Sequence, residues 1–264
     1  MLRRVGVVDP ALEEAFAAVP REAFLGPPPW AASSSFGLRN IDADHVERLY
    51  EDVLVALDPA RGVNNGSPSL HALMLHRLQV RPGQRVCHIG AGTGYYSAIF
   101  SHLVGRGGHV EAVEYDQALA RRAAECLAGY ANVRVERADG TQRPSETCDR
   151  IYVNFGIPTL PAPWIDRLAE NGKLIFPLCA GSHHGYGVAL LVERVASGFA
   201  AQELCRVDFV CAEGIAADAD DAALRSALIG GGSERVRSLI WRRPADPSRC
   251  WLHTPDWSLS YDPP

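Results

Sequence analysis

The stretch RVCHIGAGTGYY, at residues 85–96, decides the fold of this chain. An apolar run meets glycines at three alternate positions, Gly90, Gly92 and Gly94, and a segment compatible with a helix follows. The pattern predicts a buried strand, a tight turn and the start of a helix whose N-terminus points at a ligand. A second apolar run ends on Glu114, 20 residues after Gly94. At that spacing an acidic residue can accept the two ribose hydroxyls of a nucleoside cofactor.

The spacing of the glycines also bears on which cofactor is bound. It is GxGxG, and Tyr95 stands where the dinucleotide fingerprint GxGxxG has its last glycine. The pattern therefore favours S-adenosylmethionine (AdoMet) over a nicotinamide dinucleotide. Two alternatives stay open at this point, a dehydrogenase and a structural turn without any ligand, because lone glycine motifs match many unrelated chains.

The composition is that of an ordinary globular protein. The 264 residues are 47% hydrophobic and 22% charged, and the formal net charge is -5. That balance argues against nucleic acid as a partner, because sequence-independent binding needs a basic face. No apolar run is long enough to cross a membrane, and the N-terminus lacks the apolar core of a signal peptide.

The cysteines and histidines predict a reducing compartment and no metal site. Seven cysteines are scattered without a CxxC pair, which is typical of a cytoplasmic protein with free thiols. The one adjacent pair of histidines, His183 and His184, lies in a Gly/Ser turn without the further ligands that a metal needs.

Strand and helix patterns alternate along the middle of the chain, which predicts an α/β fold. We expect a doubly wound, mostly parallel, Rossmann-like sheet closed by a C-terminal antiparallel hairpin. The predicted helices are 11–18, 68–75, 116–130, 165–170 and 220–228, and Asn171-Gly172 is expected to close the fourth of them. The later strands are 132–136, 148–155, 173–177, 188–195 and 204–210. Residues 26–40 are expected to be irregular, because three prolines at 27–29 and three serines at 33–35 break regular structure.

Three parts of the chain are expected. They are a helical and loop cap at 1–80 that contributes to the substrate site, a cofactor-binding domain at 81–213, and a C-terminal extension at 214–264. Three tryptophans in the extension favour its packing on the domain over disorder.

The succession of motifs resembles the protein-L-isoaspartate O-methyltransferase family, a group of AdoMet-dependent methyltransferases. The similar segments, in order, are VPREAFL at 19–25, YED at 50–52, SPSLHA at 67–72, IGAGTGY at 89–95, ADG at 138–140, DRI at 149–151 and LIFP at 174–177. The resemblance covers roughly residues 10–213. The glycine motif is common to many methyltransferases, whereas the VPR segment and the loop before the first cofactor strand are much more specific.

The resemblance implies a set of cofactor-binding and substrate-binding residues. The cofactor set is Ile89, Gly90, Gly92, Gly94, Tyr95, Glu114, Asp139 and Gly140, with Glu114 on the ribose hydroxyls and Asp139 near the adenine. The substrate set is Asn64, Asn65, Ser69 and Asn154, with Ser67 as the candidate catalytic residue. Ser67 precedes Pro68 in a pattern that is also explained by helix capping alone, so that alternative stays open.

Three departures from the family pattern concern the site. Aligned on the proline, Gly66 stands where the family has a serine, and Ser67 is displaced by one position. His88 stands where the glycine motif usually has an acid, and Asn154-Phe155-Gly156 replaces the family's Thr-Ala-Ala. The lost serine is tolerable, because a carboxylate is ionised at pH 7 and needs no general base to attack a sulfonium methyl group.

The resemblance implies an O-methyltransferase that acts on a peptide or protein carboxylate, with L-isoaspartate in protein repair as the leading case. One alternative is a dedicated aspartyl O-methyltransferase for one partner peptide, as in modified ribosomal peptide pathways. An alternative of another class is an AdoMet-binding adaptor without catalysis, because a fold does not by itself imply a reaction.

Overall fold

The computed structural model describes residues 2–34, 37–181, 184–213 and 219–264. These residues form two compact units, which divide the chain at 1–140 and 141–264. His183, one of the two adjacent histidines considered above, lies outside the described residues.

The first unit contains the cofactor motif. Its helices are α1 (Pro10–Ala18), α2 (Pro68–Leu78), α3 (Tyr95–Val104) and α4 (Gln117–Cys126), and its strands are β1 (Trp30–Ser34), β2 (Gly37–Ile41), β3 (Leu54–Asp58), β4 (Val63–Asn64), β5 (Arg85–Ile89), β6 (His109–Glu114) and β7 (Val133–Arg137). Short 3-10 helices occupy Leu2–Val5, Arg21–Phe24, Ala43–Tyr50 and Pro59–Arg61, and another, Gly140–Gln142, begins at the last residue of the unit.

Strands β5, β6 and β7 form a parallel sheet, as the alternation predicts. Ile89 lies beside Val113 in one pair, and Glu114 lies beside Arg137 in the other. Helix α3 packs on these strands with eight of its ten side chains buried. Fully burying one large apolar side chain such as Phe100 stabilises the fold by about 1.5–3 kcal/mol. The carboxyl ends of the three strands therefore meet at one edge of a rigid sheet.

The expectation of irregular structure over 26–40 is wrong at 30–34 and 37–40, which form strands, while residues 35–36 lie outside the described residues. Strands β2, β1, β3 and β4 form a four-stranded antiparallel sheet in that order. The alternating side chains Trp30 and Ala32 are buried in a cluster with Ile41 and Val55. The three prolines that suggested a break stand before Trp30, and the burial of a strand face outweighs weak local propensity.

The second unit is mostly antiparallel. Its strands are β8 (Cys148–Val153), β9 (Leu168–Ala180), β10 (His184–Val195), β11 (Gly198–Val210), β12 (Ser238–Trp241), β13 (Cys250–His253) and β14 (Trp257–Ser260), its helices are α5 (Ala162–Asp166) and α6 (Ala219–Gly230), and 3-10 turns occupy Ser233–Arg235 and Pro247–Arg249. Within this unit the strands follow the order β8-β9-β10-β11-β12-β14-β13.

The helix predicted at 165–170 is wrong. Helix α5 ends at Asp166, and β9 begins at Leu168 and passes through Asn171, whose φ is 58°. The sequence Asn171-Gly172 suggested a helix end, but the two residues instead lie inside a long strand. Pairing with β8 on either side of these two residues, at Leu168 and at Lys173, and with β10 from Lys173 onward stabilises this extended path.

Strands β10 and β11 form a long antiparallel hairpin, and the sheet of this unit continues beyond it. Strand β12 pairs with β11 through Phe199 and Leu239. The side chains of Trp251 and Trp257 are buried, and the Trp251 indole N–H donates to the Ala227 carbonyl of α6 at 3.2 Å. The last residues of the chain are thus built into the second unit as strands.

Candidate active site

The glycine turn at the end of β5 has the geometry that the sequence predicts. Gly90, Gly92 and Gly94 all have positive φ, between 58° and 94°. The amides of Gly90 and Ala91 donate to the Val113 carbonyl at 2.9 and 3.0 Å, which holds the turn against β6. At Gly94 a Cβ atom would lie 2.5 Å from Leu127 Cδ1, so no larger residue fits there. The backbone can therefore approach a ligand closely.

Glu114 lies at the carboxyl end of β6 and reaches back to the turn. Its side chain is 8% exposed, and its two oxygens accept from the amides of Gly92 at 2.7 Å and Asp116 at 2.9 Å. Burial raises the pKa of the Glu114 carboxyl, and the two backbone N–H donors oppose that rise. A carboxylate has about four acceptor sites in all, so the backbone donors leave at least one of them for a ligand hydroxyl.

The other members of the predicted cofactor set surround the same edge of the sheet. Asp139 and Gly140 follow β7, and the amide of Ala138 donates to the Glu114 carbonyl at 3.1 Å. Ile89 is fully buried in β5, and the Tyr95 ring packs edge-on against Phe24 with centroids 5.7 Å apart. The last two side chains serve the core, while their backbone flanks the turn.

The segment that we call the substrate loop, residues 62–69, lies before α2. Asn64 accepts from the Gly66 amide at 2.9 Å, and the buried Asn65 donates its amide to the Val55 carbonyl at 2.9 Å. Ser67 caps α2 by accepting from the Leu70 amide at 3.3 Å. The capping role of Ser67 is therefore present, and its catalytic role stays a prediction.

Asp52 organises the hydroxyl groups of the substrate loop. Ser67 Oγ donates to Asp52 Oδ1 at 2.7 Å, and Ser69 Oγ donates to Oδ2 at 2.5 Å. The Ser69 amide adds a third bond to Oδ1 at 3.1 Å. Burial acts to raise the pKa of Asp52, but the hydrogen bonds from Ser69 and Ser67 outweigh it and the pKa is lowered. A charged carboxylate thus stands beside both serines.

Gly66, at the family's serine position, lies against a histidine. Its φ is 75°, and a Cβ there would lie 2.1 Å from His71 Nε2. The fully buried His71 ring stacks on Tyr96 of α3, with centroids 3.9 Å apart. Burial lowers the pKa of His71 well below its usual value, so the ring is neutral at pH 7. The substrate loop is therefore packed, through His71, on the helix that follows the glycine turn.

His88 replaces the acid of the glycine motif with a buried, neutral side chain. It is fully buried in β5, and its Nδ1 lies 2.7 Å from Ser97 Oγ on α3. Burial lowers the pKa of His88 to about 3. The pair connects the strand before the turn to the helix after it.

Asn154 belongs to the second unit and follows β8 directly. Next to it, Phe155 packs on Trp164 with ring centroids 6.2 Å apart, and Gly156 donates its amide to the Val210 carbonyl at 2.8 Å. A Cβ at Gly156 would lie 2.9 Å from Cys179 Cβ. The segment that replaces the family's Thr-Ala-Ala is thus closely packed.

Two residues with evident structural roles at the site were missing from the sequence-based set. Asp52 holds both serines of the substrate loop, and the buried Arg21 donates to Asn65 and Gly66. Both belong to segments that carry the family resemblance, YED and VPREAFL, which was the available signal. Among the described residues there is no group of three potential metal ligands, and no helix there is long and apolar enough to cross a membrane.

The first unit has parallel strands, with a glycine turn after the first and an acid at the end of the second. This arrangement is that of a class I methyltransferase, which binds a nucleoside cofactor. A family model described as protein-L-isoaspartate(D-aspartate) O-methyltransferase matches residues 1–214. The chain belongs to this family, whose members are protein carboxyl methyltransferases. The resemblance and the class of enzyme predicted from the sequence are confirmed.

Individual relatives agree with the family match. Protein-L-isoaspartate O-methyltransferase 2 of Rhodopseudomonas palustris strain HaA2 is 36% identical over 213 residues, which are 79% of this chain and 88% of the relative. A solved protein-L-isoaspartate O-methyltransferase has a TM-score of 0.66 and 27% identity over 81% of this chain, but the match spans only 64% of that chain. A structure described as such an enzyme from Plasmodium falciparum, in complex with S-adenosyl-L-homocysteine, has a TM-score of 0.62 at 23% identity and covers 80% of this chain and 94% of its own. These structures confirm the predicted fold class.

Proposed function

We propose that the protein is an AdoMet-dependent O-methyltransferase that esterifies the carboxylate of L-isoaspartyl residues in peptides or proteins. The observation that carries the proposal is the family match over residues 1–214, which includes both the glycine turn and the substrate loop. The relatives named above bear the same activity in their names.

The cofactor site fits AdoMet at its nucleoside end. The Glu114 carboxylate, fixed by two backbone amides, retains acceptor sites for the ribose hydroxyls. The positive φ of Gly92 suits glycine, and the absence of a side chain there lets the backbone lie close to the ligand. Ile89, Gly90, Tyr95, Asp139 and Gly140 complete the proposed cofactor set.

Methyl transfer to a carboxylate requires the chain to position the substrate and does not require it to transfer a proton. When bound, AdoMet supplies an electrophilic methyl group. The substrate carboxylate is already ionised at pH 7, so no residue must remove a proton from it. The chain has to bind the carboxylate in line with the methyl group and exclude water. We assign this task to the substrate loop, with Asn64, Asn65, Ser67 and Ser69. Asn154 is kept as the further substrate-binding residue that the family resemblance implies.

Asp52 orients the hydroxyl groups of Ser67 and Ser69 in the substrate loop. Their hydroxyl protons are directed to the Asp52 carboxylate, at 2.7 and 2.5 Å. To donate to a substrate carboxylate instead, each hydroxyl has to turn away from Asp52. Ser67 is therefore proposed as a residue that holds the substrate, with methyl transfer slowed but not abolished in its absence.

A dedicated aspartyl O-methyltransferase is the second candidate. Three observations favour it: Gly66 replaces the family's serine, Asn154-Phe155-Gly156 replaces Thr-Ala-Ala, and residues 215–264 lie outside the family match. Changes at substrate-facing positions, together with an added segment, suit an enzyme that acts on one partner peptide.

Matched peptides separate the candidates. The protein and AdoMet are incubated with an isoaspartyl peptide and with its aspartyl counterpart of the same sequence, and the product is measured by mass spectrometry. We expect a mass gain of one methyl group on the isoaspartyl peptide only, followed by loss of methanol as a succinimide forms. Methylation of the aspartyl peptide alone would favour the second candidate. AdoMet binding without turnover on either peptide would favour the adaptor.

A further inference from the structure

Arg21, in the VPR segment, is a buried cation held only by neutral oxygens. Its side chain is 1% exposed. The guanidinium donates to the carbonyls of Leu49 at 2.6 Å, Val53 at 2.8 Å and Gly66 at 3.1 Å, and to Asn65 Oδ1 at 2.6 Å. In the described part of the chain no carboxylate forms an ion pair with it. Buried charges are normally paired, so a retained unpaired guanidinium needs an explanation.

The charged and titratable groups around Arg21 offset its positive charge only through space. The groups that act on it are Tyr50, Tyr95, Tyr96 and Asp52. Burial raises the pKa of all three phenols, so they are neutral at pH 7. Burial lowers the pKa of Arg21, but a guanidinium stays protonated in proteins. Asp52 interacts with it through space, without an ion pair, and Glu22 is held on the Tyr50 hydroxyl at 2.6 Å.

The guanidinium fixes the inner side of the substrate loop. Asn65 Oδ1 accepts from Arg21 and from the Val55 amide, at 2.6 and 3.4 Å, so its side-chain amide has one orientation. The Gly66 carbonyl is turned inward to Arg21, while Gly66 itself is partly exposed. One buried side chain thus joins two segments, at 49–53 and at 65–66, that are distant in sequence.

We propose that Arg21 is a positioning residue of the methyl-transfer reaction, which fixes the Asn65–Gly66 backbone and places a permanent positive charge beneath the segment that receives the substrate carboxylate. This inference rests on the proposed function. The Asp52 carboxylate beside the same loop repels a second carboxylate, and the charge of Arg21, which also acts on Asp52, offsets that repulsion from the protein interior, where screening is weak.

The test compares Arg21→Met, which removes the charge and the contacts, with Arg21→Lys, which keeps the charge. Arg3→Met is the matched control, because Arg3 is exposed and its guanidinium bonds only to Glu13 among the described residues. For Arg21→Met we expect KM for an isoaspartyl peptide to rise about tenfold, as for the loss of a charged hydrogen-bonding group, while the Kd for AdoMet stays within about twofold. In Arg21→Lys the KM should rise less than in Arg21→Met, and Arg3→Met should leave the KM unchanged. An unchanged KM in Arg21→Met, with AdoMet binding intact, overturns the proposal.

Two measurements do not depend on activity and keep the test independent of the proposed reaction. Carboxyl NMR should show the pKa of Asp52 raised in Arg21→Met relative to the wild type and to Arg3→Met. Amide hydrogen exchange should be faster at Asn65 and Gly66 in both Arg21 variants. If Arg21→Met does not fold, the measurement on Arg21→Lys alone tests the proposal. If the wild type does not methylate the isoaspartyl peptide, these shifts still support the positioning role, and their absence overturns it.

Discussion

Gly66→Ser, which restores the serine of the family at its aligned position, should destabilise this protein. A residue other than glycine at φ 75° costs about 1–2 kcal/mol, because its Cβ crowds the carbonyl oxygen. The new Cβ would also lie 2.1 Å from His71 Nε2. The His71 ring cannot move aside freely, since it is fully buried and stacked on Tyr96 at 3.9 Å.

The backbone strain and the contact with His71 together set the expected loss of folding free energy. Forcing extra atoms into a packed interior typically costs about 1–3 kcal/mol, so the total is about 2–5 kcal/mol. That is a large share of a typical folding free energy of about 5–15 kcal/mol. Turnover of an isoaspartyl peptide should fall as well, because a displaced His71 disturbs both the substrate loop and α3.

Gly83→Ser is the matched control for backbone strain. Gly83 has φ 83°, and no atom lies within 4 Å of its Cβ position, so only the backbone term of about 1–2 kcal/mol applies. The assay is urea unfolding of both variants, and of Gly66→Ser combined with His71→Ala. The double variant should recover part of the steric loss, because the alanine leaves room for the serine. If Gly66→Ser costs no more than Gly83→Ser, the proposed contact with His71 is refuted.

Three other outcomes are expected. Glu114→Ala should weaken AdoMet binding by about 1.5–3 kcal/mol, as for charge-assisted hydrogen bonds, and calorimetry that finds no loss would exclude the ribose assignment. Ser67→Ala should lower stability by about 1 kcal/mol as a lost N-cap, and a further drop in kcat/KM per folded molecule, without a change in AdoMet affinity, would identify a substrate contact. Because burial lowers the pKa of His88 to about 3 in the folded protein, the unfolded chain binds one more proton than the folded chain between about pH 3 and 6.5. The free energy of unfolding should therefore decrease by about 1.4 kcal/mol for each unit by which the pH is lowered in this window, and pH-dependent unfolding of His88→Gln should lack that contribution.

The cofactor half of the site could be predicted because its signals are local. The strand, the glycine turn and the helix from residue 85 to 104 are consecutive, and each residue type in them suits its own backbone conformation. The acid at Glu114 follows at a spacing that one strand–helix–strand unit dictates. Periodicity and glycine positions therefore carried enough information for this part of the fold.

The substrate half could not be predicted from local patterns. Arg21 contacts residues 28 to 45 positions away, and Asp52 contacts serines 15 and 17 positions away. The contact between Gly66 and His71 depends on a positive φ that no pattern in the loop requires. Likewise, β1 and β2 are strands because they pair and bury Trp30, in spite of the prolines before them. In each case tertiary contacts decide the local structure.

His88 removes a negative charge that the family usually has just before the glycine turn. A buried imidazole with a pKa of about 3 carries no charge at pH 7, and its hydrogen bond partner is Ser97. Glu114 is then the carboxylate bonded to the turn, through the Gly92 amide at 2.7 Å. An acid fully buried at position 88 would lose its hydration as a carboxylate, which is unfavourable for the charged form. A neutral histidine avoids that cost and still connects β5 to α3 through Ser97, so the proposed AdoMet site does not require the acid that the family usually has there.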